Sequence, residues 1–266
     1  MTDLPLPCEI RRGELEAPLI AAAIHAGHAV RPEIAERLAI DEAARLREED
    51  PFTDRWTEVA PTRIVGTVSR FEVDLNRPRE GAIYRTAEQA WGLEVWKGPL
   101  PESVVEGSLQ RYDAFYAEVR RLLDEAERRF GRFVVLDLHS YNHLREGAVS
   151  RPAAPQQNPD VNVGTGSMDR ARWAPVVDRF IAEMVGFDYP GGRLDVRENV
   201  KFRGGHFPTW IHHSYPGSGC AIAVELKKFF MNEWTGEPDP EHLAAIGRAL
   251  SAAAAGVLEE LERMGG

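Results

Sequence analysis

Val134-Val135-Leu136-Asp137-Leu138-His139-Ser140-Tyr141 is the stretch that decides how this chain is organised. Apolar, mostly β-branched residues lead into Asp137, and the run closes on His139, Ser140 and Tyr141 before the turn-prone Asn142. A strand buried on both faces reads this way, and open α/β sheets bind their ligands at the carboxyl ends of such strands. Leu19-Ile20-Ala21-Ala22-Ala23-Ile24 ends in the same manner, in His25-Ala26-Gly27-His28. Two strands that each deliver a histidine to a sheet edge predict a metal site assembled from strand ends.

Outward from these runs, the chain alternates strands and helices. A strand is expected over Ala17 to His25, then a helix that starts at Pro32, where a missing N–H costs nothing. Asp41 caps a second helix reaching about Glu49. Arg63 to Val68 reads as a strand and Phe71 to Asp74 as a further extended segment, whereas residues 78–106, rich in Pro, Gly and Trp, read as irregular surface or a flap. Leu109, Tyr112, Phe115, Tyr116, Val119, Leu122 and Leu123 form one stripe of a long helix, Ser108 to Phe130. The Pro/Asn/Gly-rich span Arg145 to Ser167 is expected to be a long functional loop. Helix over 168–186, extended chain from Gly192 to Val200, a strand from Cys220 to Leu226 and a helix from Pro240 to Met264 complete the pattern. The expected fold class is α/β: one domain, 1–266, with a mixed, mostly parallel sheet flanked by helices on both faces.

Composition narrows the function. A chain of 266 residues with 43% apolar content can bury a full core. Its net charge of −10 leaves no basic face for nucleic acid or an anionic membrane, so neither is expected as a partner. Cys8 and Cys220 lie in no CxxC pair and are expected to be reduced thiols. The N-terminus lacks the pattern of a secretory leader, and no apolar run approaches ~18 residues. A soluble, cytoplasmic protein is expected.

The chemistry-bearing residues cluster at these strand ends. His25 and His28 flank Gly27, which permits close backbone approach. Zinc in catalytic sites takes about three protein ligands and leaves a place for water, so this pair with the distant His139 makes a plausible set; each histidine could equally be bonded to a loop. Glu225 stands in Ala221-Ile222-Ala223-Val224-Glu225-Leu226, where an unpaired carboxylate is costly. It suits a general base beside a metal, or else an ion pair; strand alternation puts Lys227 on its face and Lys228 on the other. In Asp74-Leu75-Asn76-Arg77, an amide beside a planar charged fork suits capture of a carboxylate, and Arg203-Gly204-Gly205 joins a cation to backbone that can approach a ligand. His143, His206, His212 and His213 are expected to be structural or solvent-facing.

In this order, the elements resemble the zinc carboxypeptidase fold, and within that superfamily they are more similar to the N-formylglutamate amidohydrolases. The motifs that carry the second resemblance are His25-Ala26-Gly27, Glu49-Asp50-Pro51-Phe52-Thr53-Asp54, Ser69 through Pro78, Asp137-Leu138-His139-Ser140, Arg203-Gly204-Gly205, and Glu225-Leu226-Lys227-Lys228 with Phe229-Phe230-Met231. They span about residues 18 to 236. The resemblance implies one zinc per chain, or another divalent transition metal, held by His25, His28 and His139. Asp50 is the alternative second ligand, because His28 stands where the carboxypeptidases have a glutamate. It implies that Asn76 and Arg77, with Arg203, bind substrate carboxylates and that Glu225 is the base. The implied reaction is hydrolysis of N-formyl-L-glutamate to formate and L-glutamate, a step of histidine breakdown. Another N-acyl amino acid, a peptide, or a silent role as a small-anion binder are the alternatives.

Overall fold

The computed structural model describes residues 5–12 and 15–265. The reading of the N-terminus as lacking a leader rests in part on Met1 to Leu4, which lie outside these. In chain order the strands are β1 (Cys8–Arg11), β2 (Leu19–Ala23), β3 (Thr62–Gly66), β4 (Phe133–Tyr141), β5 (Val161–Gly164), β6 (Val196–Glu198) and β7 (Gly219–Lys227). The helices are α1 (Pro32–Ala35), α2 (Glu42–Glu48), α3 (Thr53–Trp56), α4 (Glu102–Phe130), α5 (Ala174–Gly186), α6 (His206–Ser214) and α7 (Pro240–Gly265). The strands form one mixed sheet in the order β1-β3-β2-β4-β7-β5-β6. Its centre, β3-β2-β4-β7, is parallel, while β1 and β5 join antiparallel.

Alternation along β4 explains both the layers and the site. Val134, Leu136 and Leu138 pack into the core formed with α5 and α7, together with Ile222 and Val224. Phe133 and Val135 face the opposite core, under α4 and α6, where Phe115, Val119 and Phe207 lie. Side chains at i and i+2 share a face, so Asp137 and His139 follow Phe133 and Val135, and Glu225 follows Ala221. The apolar cover gives way at the carboxyl end of the sheet, and there these polar residues emerge.

Several expectations need correction. Residues 145–167 are not all loop: Val161–Gly164 is β5, a short strand between β7 and the edge strand β6. Phe71 to Asp74 is a chain of turns outside the sheet, drawn inward by its carboxylates: Glu72 receives Arg31 and Arg111, and Asp74 receives Arg70. Residues 78–106 bury Tyr84, Ala90 and Val95 in a small separate core shared with Ile34, Leu38 and Phe71. The long helix begins at Glu102, one residue after Pro101, and ends at Gly131 in the left-handed region. Helix α5 starts only at Ala174, because Pro175 is tolerated in a first turn and not in a helix interior. Asp41 caps α2 as expected, accepting from the Ala44 N–H at 2.8 Å. Cys8 and Cys220 are buried and free.

Candidate metal centre

Strands β2 and β4 are neighbours, so His25, just past β2, meets His139 near the end of β4, with ring centroids 4.8 Å apart. The third member comes from elsewhere. Asp50 follows α2 and is pinned by its own N–H to the His25 carbonyl at 3.0 Å, while Thr53 Oγ1 donates to the Asp50 carbonyl at 2.7 Å. Its Oδ2 lies 2.8 Å from His139 Nδ1 and 3.6 Å from His25 Nδ1, and Ser140 Oγ reaches Oδ1 at 3.1 Å. One donor atom from each of the three lies within 4.8 Å of the others, and all three residues are buried.

What stands behind each ring fixes what faces inward. His25 Nε2 lies 2.7 Å from Asp74 Oδ1, an arrangement that keeps a proton on Nε2 and leaves Nδ1 a bare lone pair. That buried Nδ1 has no hydrogen-bond partner. His139 Nε2 is backed at 3.0 Å by Asp137, although off the line of a hydrogen bond, since both Asp137 oxygens lack one. An orphaned imidazole nitrogen, a second Nδ1 and a carboxylate oxygen, each ring backed by a carboxylate, fit a divalent transition ion. Burial opposes the charge on Asp50, but the hydrogen bond from His139 and the positive charge of that ring outweigh it and hold the carboxyl well below its usual range. Burial likewise opposes a charge on His139, yet Asp137 and then Asp50 raise its pKa well above 6.5.

His28 does not join this group, and the structure brings in Asp50 instead. Its Nδ1 bonds Glu49, its Nε2 lies 3.1 Å from Arg45 Nη2, and the Glu49 carboxylate is also held by Ser69. The chain has already left the sheet after Ala23, and at Gly27 it runs so close to the segment after β3 that even a Cβ would come 2.4 Å from the Thr67 carbonyl carbon. His28 is thereby carried toward the bridge that Ala29 makes with Val68. Of the other histidines, His143 sits near Glu233 and His206 opens α6. His212 is buried between Ser167 and the Ala221 N–H, and His213 is exposed.

Glu225 lies beside His139 in the β4–β7 register and shares with His25, Asp50 and His139 a cavity of about 300 Å³. Burial pushes its carboxyl up to about 7. Among the described residues no ion pair accounts for it: Lys227 turns to Asp160 at 2.6 Å. Lys228, expected on the opposite face, lines the same cavity, because β7 stops at Lys227 and alternation stops with it. Burial draws the Lys228 ammonium down to about 8. A larger cavity of about 400 Å³, lined by segments 84–87 and 94–100, contains none of the histidines.

The cavity wall is cationic despite the acidic whole. Arg70, Arg77, Arg145, Arg203 and Lys228 line it, against Glu48, Asp50 and Glu225. Arg70 is bound to Asp74 and to Tyr84 Oη, each at 2.9 Å, and Arg145 faces Glu48 at 3.4 Å. Arg77 donates to the Gln89 carbonyl at 2.7 Å. Arg203 makes no ion pair among the described residues; its carbonyl accepts the Gly166 N–H at 2.7 Å. Asn76 is more occupied than its sequence suggests. Its carbonyl and Oδ1 accept the His206 and Phe207 N–H groups and so cap α6, while Nδ2 lies 3.2 Å from His139 Nε2. The space beside Gly205 belongs to that side chain and not to a ligand, since a Cβ there would meet Asn76 Oδ1 at 2.3 Å. The sequence reading does not single out Arg70, Arg145 and Trp91, and it assigns Lys228 to the opposite face; Arg70, in the matching segment Ser69 to Pro78, and Lys228, in the matching segment Glu225 to Lys228, each offer a local signal.

A family model described as N-formylglutamate amidohydrolase matches residues 17–231. The N-formylglutamate amidohydrolase of Ralstonia eutropha JMP134 superposes with a TM-score of 0.76 at 18% identity, over 98% of this chain and 100% of its own. A gene product of Agrobacterium tumefaciens superposes with a TM-score of 0.68 at 17% identity, over 97% of each chain. At such identities the likeness concerns the fold. No curated protein matches the chain. Among the described residues, no helix is long and apolar enough to cross a membrane.

Proposed function

This chain belongs to the N-formylglutamate amidohydrolase family, and from that premise we propose that it hydrolyses N-formyl-L-glutamate to formate and L-glutamate. The observation that carries the reading is Glu225: a carboxyl lifted to about 7, free of any ion pair among the described residues, in one cavity with His25, Asp50 and His139. Those three residues would hold zinc or a related divalent ion, which supplies polarisation of the formyl carbonyl and a water acidic enough to react near neutral pH.

The chain's own residues do the rest. Glu225 takes a proton from the attacking water as oxygen bonds to the formyl carbon, and returns it to the amide nitrogen as the C–N bond breaks. Formate and the free amine leave, and the carboxylate is restored. A group with a pKa near the working pH does this best. Arg77 offers a planar fork to the carboxylate nearest the amide, and Arg203, with no carboxylate of its own among the described residues, takes the second. Asp74 and Asp137 orient the two imidazoles. A silent anion-binding protein would have no use for Glu225.

The test is formate release by zinc-loaded protein over a panel of N-formyl and N-acetyl amino acids and short peptides. N-formyl-L-glutamate is expected to give the highest kcat/KM, and N-formyl-L-leucine, lacking the second carboxylate, a much lower one. Release of a C-terminal residue from peptides with no formate from any N-formyl substrate would overturn the proposal.

A further inference from the structure

Lys228 is among the largest fully buried side chains, at 1% exposure, although it carries an ammonium. A buried charge must be held by something, and here the partners are main-chain oxygens. Its Nζ donates to the Glu49 carbonyl at 2.8 Å and to the Arg47 carbonyl at 2.5 Å. Arg47 lies in the last turn of α2, whose carbonyls have no partners within the helix, and Glu49 immediately precedes Asp50. The Lys228 N–H in turn donates to the Tyr141 carbonyl at 3.0 Å, at the end of β4, and Lys228 stands three residues beyond Glu225. One residue therefore joins the end of the strand carrying His139, the end of the strand carrying Glu225, and the segment carrying Asp50.

We propose that Lys228 is a positioning residue for the metal centre, holding Asp50 in register with His139 and Glu225 through the carbonyls of Arg47 and Glu49. Asp50 lies in no strand; its N–H bonds the His25 carbonyl and its own carbonyl accepts from Thr53, and neither bond ties it to β7. A neutral side chain at 228 would leave two buried carbonyls unpaired and untie the segment from β7. The inference rests on the reading of Asp50 as a ligand.

The experiment measures zinc affinity by competition with a chromogenic chelator, alongside thermal unfolding of the metal-free protein, in Lys228→Met, Asp50→Asn and Tyr215→Phe. Tyr215 bonds Asp124 at 2.6 Å away from the cavity, so its variant lowers stability without touching the site. Lys228→Met is expected to weaken zinc about 10–100-fold, the scale of losses when residues supporting metal ligands are removed. Tyr215→Phe is expected to lower the melting temperature and leave zinc affinity unchanged. Should the methionine variant not fold, Lys228→Gln reads the same effect, since its amide is one atom short of the second carbonyl. Native zinc affinity in the Lys228 variant, or equal weakening in Tyr215→Phe, overturns the proposal. Zinc retained in Asp50→Asn overturns the ligand reading itself, whereas zinc lost there and kept in Lys228→Met overturns this inference alone.

Discussion

Glu225→Gln is expected to trade activity for stability, and both sides follow from the same burial. The amide keeps the shape of the side chain but cannot take a proton from water. Loss of a general base costs about 10²–10⁴-fold in kcat, or about 3–5 kcal/mol of barrier. Zinc content should not change, because Glu225 is outside the group of three donors. The stability side is read on metal-free protein. Burial raises the carboxyl from its ordinary 4.5 to about 7, so the folded state resists ionisation that the unfolded state accepts. The associated stability is fully present below pH 4.5 and is lost as pH rises through about 7. That interval, at about 1.36 kcal/mol per pH unit, amounts to about 3 kcal/mol. Glutamine has no charge to bury. The metal-free variant should therefore match the wild type near pH 4.5 and exceed it by about 3 kcal/mol above pH 7. Formate release under saturating substrate gives kcat, and urea unfolding across that pH range gives the stability difference. Near-native kcat in a zinc-replete variant would refute the role in catalysis, and parallel pH–stability curves would refute the burial on which it rests.

Asp50→Asn should lose stoichiometric zinc while His28→Ala keeps it, measured by metal analysis after dialysis; the reverse would restore His28 as the ligand. Arg77→Lys keeps a charge but not the fork, so KM for N-formyl-L-glutamate should rise about 10-fold or more with kcat and zinc little changed, as steady-state kinetics would report. His212, buried against Ser167 and the Ala221 N–H, has its pKa lowered by burial from 6.5 to about 4. The unfolded chain therefore takes up a proton first, and stability intact above pH 6.5 should fall by about 3 kcal/mol as pH drops to about 4. His212→Asn should flatten that part of the curve in urea unfolding, and an unchanged slope would contradict the assignment.

Local pattern was enough for the central sheet and for two of the three clustered donor residues, His25 and His139. Strands β2, β4 and β7 are buried on both faces, so their apolar runs are continuous, and whatever polar group ends such a run must lie at the sheet edge. His25, His139 and Glu225 were legible for that reason, and the order of motifs was enough to suggest the family. Asp50 could be named only as an alternative, through resemblance: Thr53 holds its carbonyl locally, but its N–H is met by the His25 carbonyl and the Glu49 carbonyl beside it by the Lys228 ammonium, both from residues distant in the sequence. The same holds for β5, whose four residues become a strand by pairing with β7, and for Asn76, whose oxygens are taken by a helix that begins 130 residues later. Periodicity records which face of an element is buried. It carries no record of which distant main-chain group completes a hydrogen bond, and in this protein those bonds decide which carboxylate meets the two histidines.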